Sequence, residues 1–437
     1  MPLTCAALSS LGKIMCALSV GVDFGTSNTV IAVVDDERRS SVMKVASRDG
    51  GAAFLPSILC FRPDERNPRE RPLSSAGMDA IADYLARTGP ARLMQSMKSF
   101  LGSRSFVDTR LFTHSYTLDE LIGVLLGHLY ESAAARPALE TAPLVVGRPI
   151  EFAGANPDDA LAQQRLLAAF ERAGPAPARV GLEPEAAAYA FAKRASGKHL
   201  VLVADLGGGT SDFSVVEIDA DATPPRITPL AQTGIGIAGD RFDYDIVYNA
   251  VCPALGMGSQ FRPETKLLPI PLWIYSNFAS WHHLSMMNNR QTLRQITDIL
   301  RTAVDRDAFE ALVHVIRNEG GFSLFQAVSR VKQALSSQGS AWLSFQVGPV
   351  VIDREISRDE FERWIADDVA KLAQTSMRAL EIAGVAPREI TRVFMTGGTA
   401  LVPAVRKLFA ERFTEEKLVG GDEFSSVAQG LALMGVA

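Results

Sequence analysis

The sequence predicts an α/β protein of two similar lobes, each built on a sheet and carrying a helical insertion. Three observations predict it. A unit of strand, acidic glycine turn and strand occurs twice, with its first aspartates, Asp23 and Asp205, 182 residues apart. Strand-like apolar runs alternate with helical periods around both copies. The stretch 245–335 is mostly helical in pattern, as an insertion between strands of the second lobe would be.

The first turn is Val22-Asp23-Phe24-Gly25-Thr26-Ser27-Asn28, between the apolar runs Ala17 to Val22 and Val30 to Val34. The second is Asp205-Leu206-Gly207-Gly208-Gly209-Thr210-Ser211-Asp212, between Leu200 to Ala204 and Phe213 to Ile218. Leu55-Pro56-Ser57-Ile58-Leu59 has the pattern of an edge strand opening with proline. Residues 62–75 lack an apolar period and imply a surface loop. Helical patterns cover 76–87 and 91–101, the latter containing Lys98. Asp119 to Ala135 implies a helix with acids in its first turn. Leu144 to Pro149 is a strand stopped by proline, and Pro157 to Ala173 a helix. Glu183-Pro184-Glu185 leads into an alanine-rich helix over 185–195.

In the second half, strands are expected at Trp342 to Val347 and Val350 to Ile352, and a helix from Arg358 to Ala383. The strand Arg392 to Thr396 breaks at Gly397-Gly398, and helices follow at Pro403 to Phe413 and Phe424 to Met434. The division that results is an extension over 1–18, expected to be disordered, lobe I over 19–197 with an insertion at about 51–115, and lobe II over 198–437 with its helical insertion at about 245–340.

Lys and Arg total 44 against 49 Asp and Glu, a formal net charge of −5, which argues against a nucleic-acid or anionic-membrane partner. No apolar run approaches the roughly 18 residues of a membrane helix. The cysteines, Cys5, Cys16, Cys60 and Cys252, show no metal-ligand spacing and imply reduced thiols in a cytoplasmic protein. His282 and His283 form no metal pattern.

The turns carry the chemistry. Phosphates need backbone N–H donors that approach closely, and glycine removes the Cβ that would block them. An aspartate at the mouth of each turn can hold a hydrated Mg²⁺ against those phosphates. Gly397-Gly398-Thr399, between a strand and a helix, offers a flat surface for a nucleoside. Two helices have small faces, one with Ala186, Ala187, Ala188, Ala190 and Ala192, the other with Ala428, Gly430 and Ala432. Small residues let helix backbones cross closely, as a hinge between lobes would require.

In this order the motifs resemble the actin-like (ribonuclease H-like) ATPase superfamily, specifically the nucleotide domain of DnaK-type heat-shock 70 chaperones. Asp23 to Asn28 is similar to the first phosphate motif of that family and Asp205 to Asp212 to the second. Glu183 to Ala188 resembles its E-P-x-A-A-A segment, and Gly236 to Asp243 its G-G-x-x-F-D segment. Val393 to Phe409 is similar to the adenosine motif with its following helix. The stretches Leu55 to Cys60, Lys98 to Gly102, Gly147 to Ile150 and Gly420-Gly421-Asp422 resemble the short YegD-like branch.

The resemblance implies ATP or ADP with Mg²⁺ as ligands. It implies that Asp23 and Asp205 hold the metal largely through water. Gly25, Thr26, Ser27, Gly207, Gly208, Gly209 and Thr210 would cradle the phosphates, with Asp212 supporting the loop. Lys98 would stand near the γ-phosphate, Glu183 would orient or deprotonate the attacking water, and Gly239 would touch phosphate or ribose. Lys332, Ser336, Gly397 and Gly398 would face the nucleoside.

Gln333 and Leu401 stand where the family carries adenine-sandwiching arginines, so each loses stacking worth about 1 kcal/mol. The chain reaches Ala437 directly after the last lobe helix, so no peptide-gripping β-sandwich is expected. The reading is a slow ATPase acting as a chaperone-like switch for an unknown protein partner. Its competitors are a non-hydrolysing nucleotide-dependent scaffold, a small-molecule kinase, for which no sugar pocket with its own aspartate is found, and a filament-forming actin, which the helical block disfavours.

Overall fold

The computed structural model describes residues 17–437 apart from positions 68, 88, 155 and 422–424 and the side chains of 282, 285 and 286. Cys5, Cys16, most of the 1–18 extension, Asp422 and the His282 side chain therefore lie outside the described residues. In chain order the strands that position the site are β1 (Ser19–Phe24), β2 (Asn28–Val34), β3 (Ser40–Val42), β4 (Leu144–Arg148), β5 (Arg179–Leu182), β6 (Lys198–Leu206), β7 (Ser211–Asp219), β8 (Arg226–Ile235), β9 (Ser340–Val347), β10 (Val350–Ser357), β11 (Arg392–Thr396) and β12 (Leu418–Gly420). The helices used below are α1 (Leu118–Ser132), α2 (Asp159–Ala173), α3 (Glu183–Ala192), α4 (Gly239–Ile246), α5 (Gly321–Leu335) and α6 (Ser426–Met434).

Two compact units form. The first comprises residues up to Ala238 with Leu372–Ala400 and Val405–Ala437; the second comprises Gly239–Lys371 and Leu401–Ala404. The first unit holds two sheets of the same design. One runs β5-β4-β1-β2-β3 and the other β12-β11-β6-β7-β8. In each, a central strand pairs antiparallel with the strand that follows its glycine turn (β1 with β2, β6 with β7) and parallel with a later strand (β4, β11). The turn duplication seen in the sequence is thus a duplication of whole sheets.

Between these sheets lie α3 and α6. Pro184 fixes φ in the first turn of α3, where its missing N–H costs nothing. Buried Ala186, Ala187 and Ala188 of α3, and Val427 and Leu431 of α6, share a core with Val145 of β4 and Val201 and Val203 of β6. The small faces are sterically required. A Cβ on Gly430 would lie 1.7 Å from the Ala186 carbonyl oxygen, and one on Gly21 of β1 would lie 2.3 Å from the Ala432 nitrogen.

A larger apolar core lies behind the first sheet, where α1 and α2 pack Leu121, Leu125, Leu129, Leu166 and Phe170 against Val20, Val22 and Ile31. Asp158 caps α2 by accepting from Leu161 N at 3.0 Å, so the helix begins where the sequence placed acids.

In the second unit, α5 packs on the β9–β10 hairpin, whose β9 alternates buried Ala341, Leu343 and Phe345 with exposed Trp342, Ser344 and Gln346. Helices Leu272–Ala279, Trp281–Met287, Arg290–Leu300 and Arg306–Arg317 fill much of the stretch before α5.

One element departs from the sequence expectation in kind. Residues 91–101 were expected to be helical; instead Arg92–Gln95 is a strand paired antiparallel with Ile58–Arg62, and only Met97–Phe100 forms a 3₁₀ turn. Cross-strand packing overrode a helical period too short to stand alone. The predicted helix over 358–383 is two, Arg358–Trp364 and Ala366–Ala383.

Candidate functional site

Both acidic turns sit in the first unit, and they face one another. Each is closed the same way: Gly25 N donates to Asn28 O at 2.9 Å, and Gly207 N donates to Thr210 O at 3.0 Å. A Cβ on Gly25 would lie 2.2 Å from Asn28 O, so glycine alone fits that turn. A Cβ on Gly209 would lie 2.9 Å from Thr26 Oγ1 and 3.5 Å from Ser99 Oγ. The apex of the second turn therefore abuts the first turn and the residue after Lys98.

Lys98 leaves the 3₁₀ turn to meet Glu183 at the start of α3, Nζ donating to Oε1 at 2.7 Å, with both side chains buried. Space for Glu183 comes from Gly147, where a Cβ would lie 3.3 Å from Glu183 Cγ. Asp23 and Asp205 end the central strands β1 and β6 at the mouths of the turns. Asp212, on β7, accepts from Ile150 N at 3.0 Å.

The electrostatics are lopsided. Four carboxylates (Asp23, Glu183, Asp205 and Asp212) interact electrostatically with one ammonium, that of Lys98. Burial pushes Asp23 up to about 7, and the Glu183 charge adds to this. Burial, with Glu183, Asp23 and Asp212, pushes Asp205 well above the ordinary carboxylate range. Burial and Glu183 push Asp212 up to about 8, against the Ile150 hydrogen bond. For Lys98 burial works against the charge, but Glu183, Asp23 and Asp205 outweigh it and hold the ammonium above its ordinary value. Buried acids short of positive charge are what a cation site requires before its ion binds. Among the described residues no three His, Cys, Asp or Glu side chains stand together as direct metal ligands. Two carboxylates, Asp23 and Asp205, at the mouths of turns that offer backbone N–H groups, are a donor set that suits an ion keeping most of its water, as Mg²⁺ does.

Two hydroxyls and a glycine do work that the sequence did not announce: Ser57 and Thr399 hold the turns, and Gly147 makes room for Glu183. Ser57 Oγ donates to Gly25 O at 2.7 Å, and Ser57 N donates to Ser27 O at 2.8 Å. Thr399 Oγ1 donates to Gly207 O at 2.7 Å, tying the Gly397-Gly398 loop to the second turn. Gly397 has φ +84°, and a Cβ there would lie 2.2 Å from Leu206 O, so its identity is fixed by the turn beneath it.

The remaining predicted residues fall in the second unit. Lys332 on α5 donates to Gly239 O at 2.9 Å and to Asp243 Oδ2 at 2.8 Å, drawing α5 onto the start of α4. Ser336 Oγ donates to Lys332 O at 3.2 Å. Gln333 and Leu401 are exposed. The structure therefore groups Gly239, Lys332 and Ser336 together, and places Gly397 and Gly398 beside the phosphate-type turns.

A separate acidic pair lies further along α4. Arg241 reaches Asp245 Oδ1 at 3.3 Å and Asp368 Oδ2 at 2.8 Å, while Lys371 reaches Asp368 Oδ1 at 2.7 Å. Asp245 Oδ2 is buried without a partner. Burial raises Asp245 to about 7, Arg241 opposing and Asp368 reinforcing the rise. A carboxyl raised in the folded state keeps its proton there after the unfolded chain has lost it, so its stabilisation fades as pH rises through about 7. The melting midpoint of the ligand-free protein should fall from pH 5 to pH 8, and Asp245→Asn should flatten that fall. An unchanged slope in the variant would refute the assignment.

Among the described residues no helix is long and apolar enough to cross a membrane. Compared with known families, the chain matches the model of the Hsp70 protein family over residues 19–251 and 320–436, leaving 252–319 between the matched stretches. Paired sheets of one design around two facing phosphate-type turns are the actin-like arrangement that this family's nucleotide-binding domain uses. With most of its length matched, the chain belongs to the heat-shock 70 family.

Proposed function

We propose that this protein binds Mg²⁺·ATP at the two facing turns and hydrolyses it slowly, as a chaperone-like switch for a protein partner. One observation carries the reading: Gly209 abuts Thr26 and Ser99 directly beside the buried Lys98–Glu183 pair. Backbone N–H groups of Gly25 to Ser27 and Gly207 to Thr210 bind the phosphates. Asp23 and Asp205 hold the hydrated metal, which supplies charge neutralisation at the phosphate oxygens when bound. Lys98 places an ammonium toward the terminal phosphate and keeps Glu183 oriented. Glu183 orients the attacking water and accepts its proton, and Asp212 fixes the second turn to Ile150. The family resemblance assigns nucleoside contacts to Gly397 and Gly398 and, separately, to Gly239, Lys332 and Ser336.

In this reading lobes 19–197 and 198–437 are the moving bodies, and α3 with α6 is their bearing. The short YegD-like branch and a cytoplasmic location belong to the same proposal, the latter supported by free, buried Cys60 and Cys252.

The test is ATP binding and single-turnover hydrolysis with Mg²⁺, comparing wild type with Asp205→Asn. Hydrolysis should drop on the order of 10–100-fold in the variant, because one of two metal-orienting carboxylates loses its charge. Binding without hydrolysis in the wild type would favour a scaffold. Turnover on the order of 10 s⁻¹ without a partner would favour a metabolic enzyme.

A further inference from the structure

Lys98 rides on a structure that cannot hold itself. Its 3₁₀ turn, Met97–Phe100, is four residues long and is preceded by Ser96 in the left-handed region at φ 54°. The internal bonds are few: Ser99 N to Ser96 O at 3.0 Å, Leu101 N to Lys98 O at 3.2 Å and Ser103 N to Phe100 O at 3.0 Å. Short 3₁₀ turns have poor hydrogen-bond geometry and need outside support.

Besides the burial of Met97 and Leu101 in the core, much of that support comes from one guanidinium. Arg165, in the middle of α2, donates from Nη1 to Leu101 O at 3.1 Å, Ser103 O at 2.9 Å and, at the limit, Phe100 O at 3.4 Å. Its Nη2 donates to Phe106 O at 2.6 Å. Among the described residues no carboxylate pairs with Arg165; its charge is spent on backbone carbonyls of one loop. The platform is rigid, because Ala162, Leu166, Ala169 and Phe170 of α2 are fully buried. The helix start adds a second hold: Asp158 N donates to Gly102 O at 2.9 Å, and a Cβ on Gly102 would lie 2.8 Å from Pro157 Cβ.

We infer that Arg165 is the positioning residue for Lys98, clamping the loop so that the ammonium stays on Glu183 and aimed at the phosphate site. The inference rests on the ATPase reading above. Arg165 bonds only to backbone carbonyls of the 100–106 segment, so its loss acts through the loop that carries Lys98. Charge-assisted bonds to several carbonyls fix a backbone more tightly than a neutral donor would.

Two measurements test it. In single-turnover assays Arg165→Met should hydrolyse ATP about 10–30-fold more slowly with affinity kept within about twofold, a loss of position rather than of binding. On a Lys98→Met background the Arg165 substitution should cost nothing further. Without nucleotide, hydrogen exchange of the 97–106 amides should quicken about tenfold in Arg165→Met while the α2 amides are unchanged. Should the methionine variant not fold, Arg165→Lys, which keeps the charge but not the planar fork, is read in the same cycle with a smaller expected loss. Lys98-dependent hydrolysis that is indifferent to Arg165, or an equal loss on both backgrounds, overturns the inference alone. A wild type without Lys98-dependent hydrolysis overturns it together with the ATPase reading.

Discussion

Lys98→Met is expected to slow single-turnover ATP hydrolysis by about 10²–10³-fold, the usual effect of deleting one preorganised charge from a reacting centre. Affinity for ATP should change far less, because the backbone donors of the two turns remain. The size of the effect follows from position. Lys98 is buried, its Nζ lies 2.7 Å from Glu183 Oε1, and it feels the charges of Asp23 and Asp205 as well. In the proposed mechanism its removal would strip the terminal phosphate of an ammonium, and it leaves Glu183 without its 2.7 Å partner. Breaking a buried ion pair from one side typically costs about 3–5 kcal/mol of stability, so the folded fraction is measured alongside the rate. Glu183→Gln added to Lys98→Met should recover stability without recovering hydrolysis. Single-turnover rates within threefold of wild type would remove Lys98 from the proposed mechanism.

Gly430→Ala should be among the most destabilising single-methyl additions in the chain. The new Cβ would meet the Ala186 carbonyl oxygen at 1.7 Å and its carbonyl carbon at 2.3 Å, which are backbone atoms of α3 that no rotamer change can move. Overpacking of ordinary cores costs about 1–3 kcal/mol, and a clash between two helix backbones falls at or beyond the upper end. For a chain of this size that corresponds to a melting midpoint roughly 3–5 °C lower. The contrast is Gly127→Ala on α1, where nothing lies within 4 Å of the added Cβ. There the higher helix propensity of alanine should raise stability by up to about 1 kcal/mol. Equal midpoints for the two variants would mean that α3 and α6 do not cross as closely as described.

Much of the layout of the candidate site was legible in the sequence, because the proposed chemistry dictates residue types at fixed spacing. A turn that presents N–H groups to phosphate must be glycine-rich, and an acid placed twice at such a turn has few structural explanations. Gly430 and the alanines of α3 were legible for the same reason, since close helix crossing admits only small side chains. What escaped was support that works through the backbone. Ser57 and Thr399 each donate a hydroxyl to a turn carbonyl, and nothing in a serine or threonine announces that. Arg165 lies 67 positions from Lys98, and a lone arginine in a helical period looks like a solvated one. Strand β8 carries Pro229 and Gly234, which break the alternation that marks a strand. The helix expected over 91–101 shows the reverse error, a local period overruled by a distant strand.

The seating of α6 has a consequence for how the molecule is made. On the first sheet, Val30, Ala32 and Val34 of β2 share a core cluster with Ala428 and Ala432 of α6, nearly the whole chain away. A ribosome adding about 5–20 residues per second needs roughly 20–80 s to travel from one to the other. Throughout that interval the inner face of β1 and β2 has no lid of its own. The earliest sheet to emerge is among the last to be sealed, so the nascent chain carries an exposed apolar strand surface for most of its synthesis.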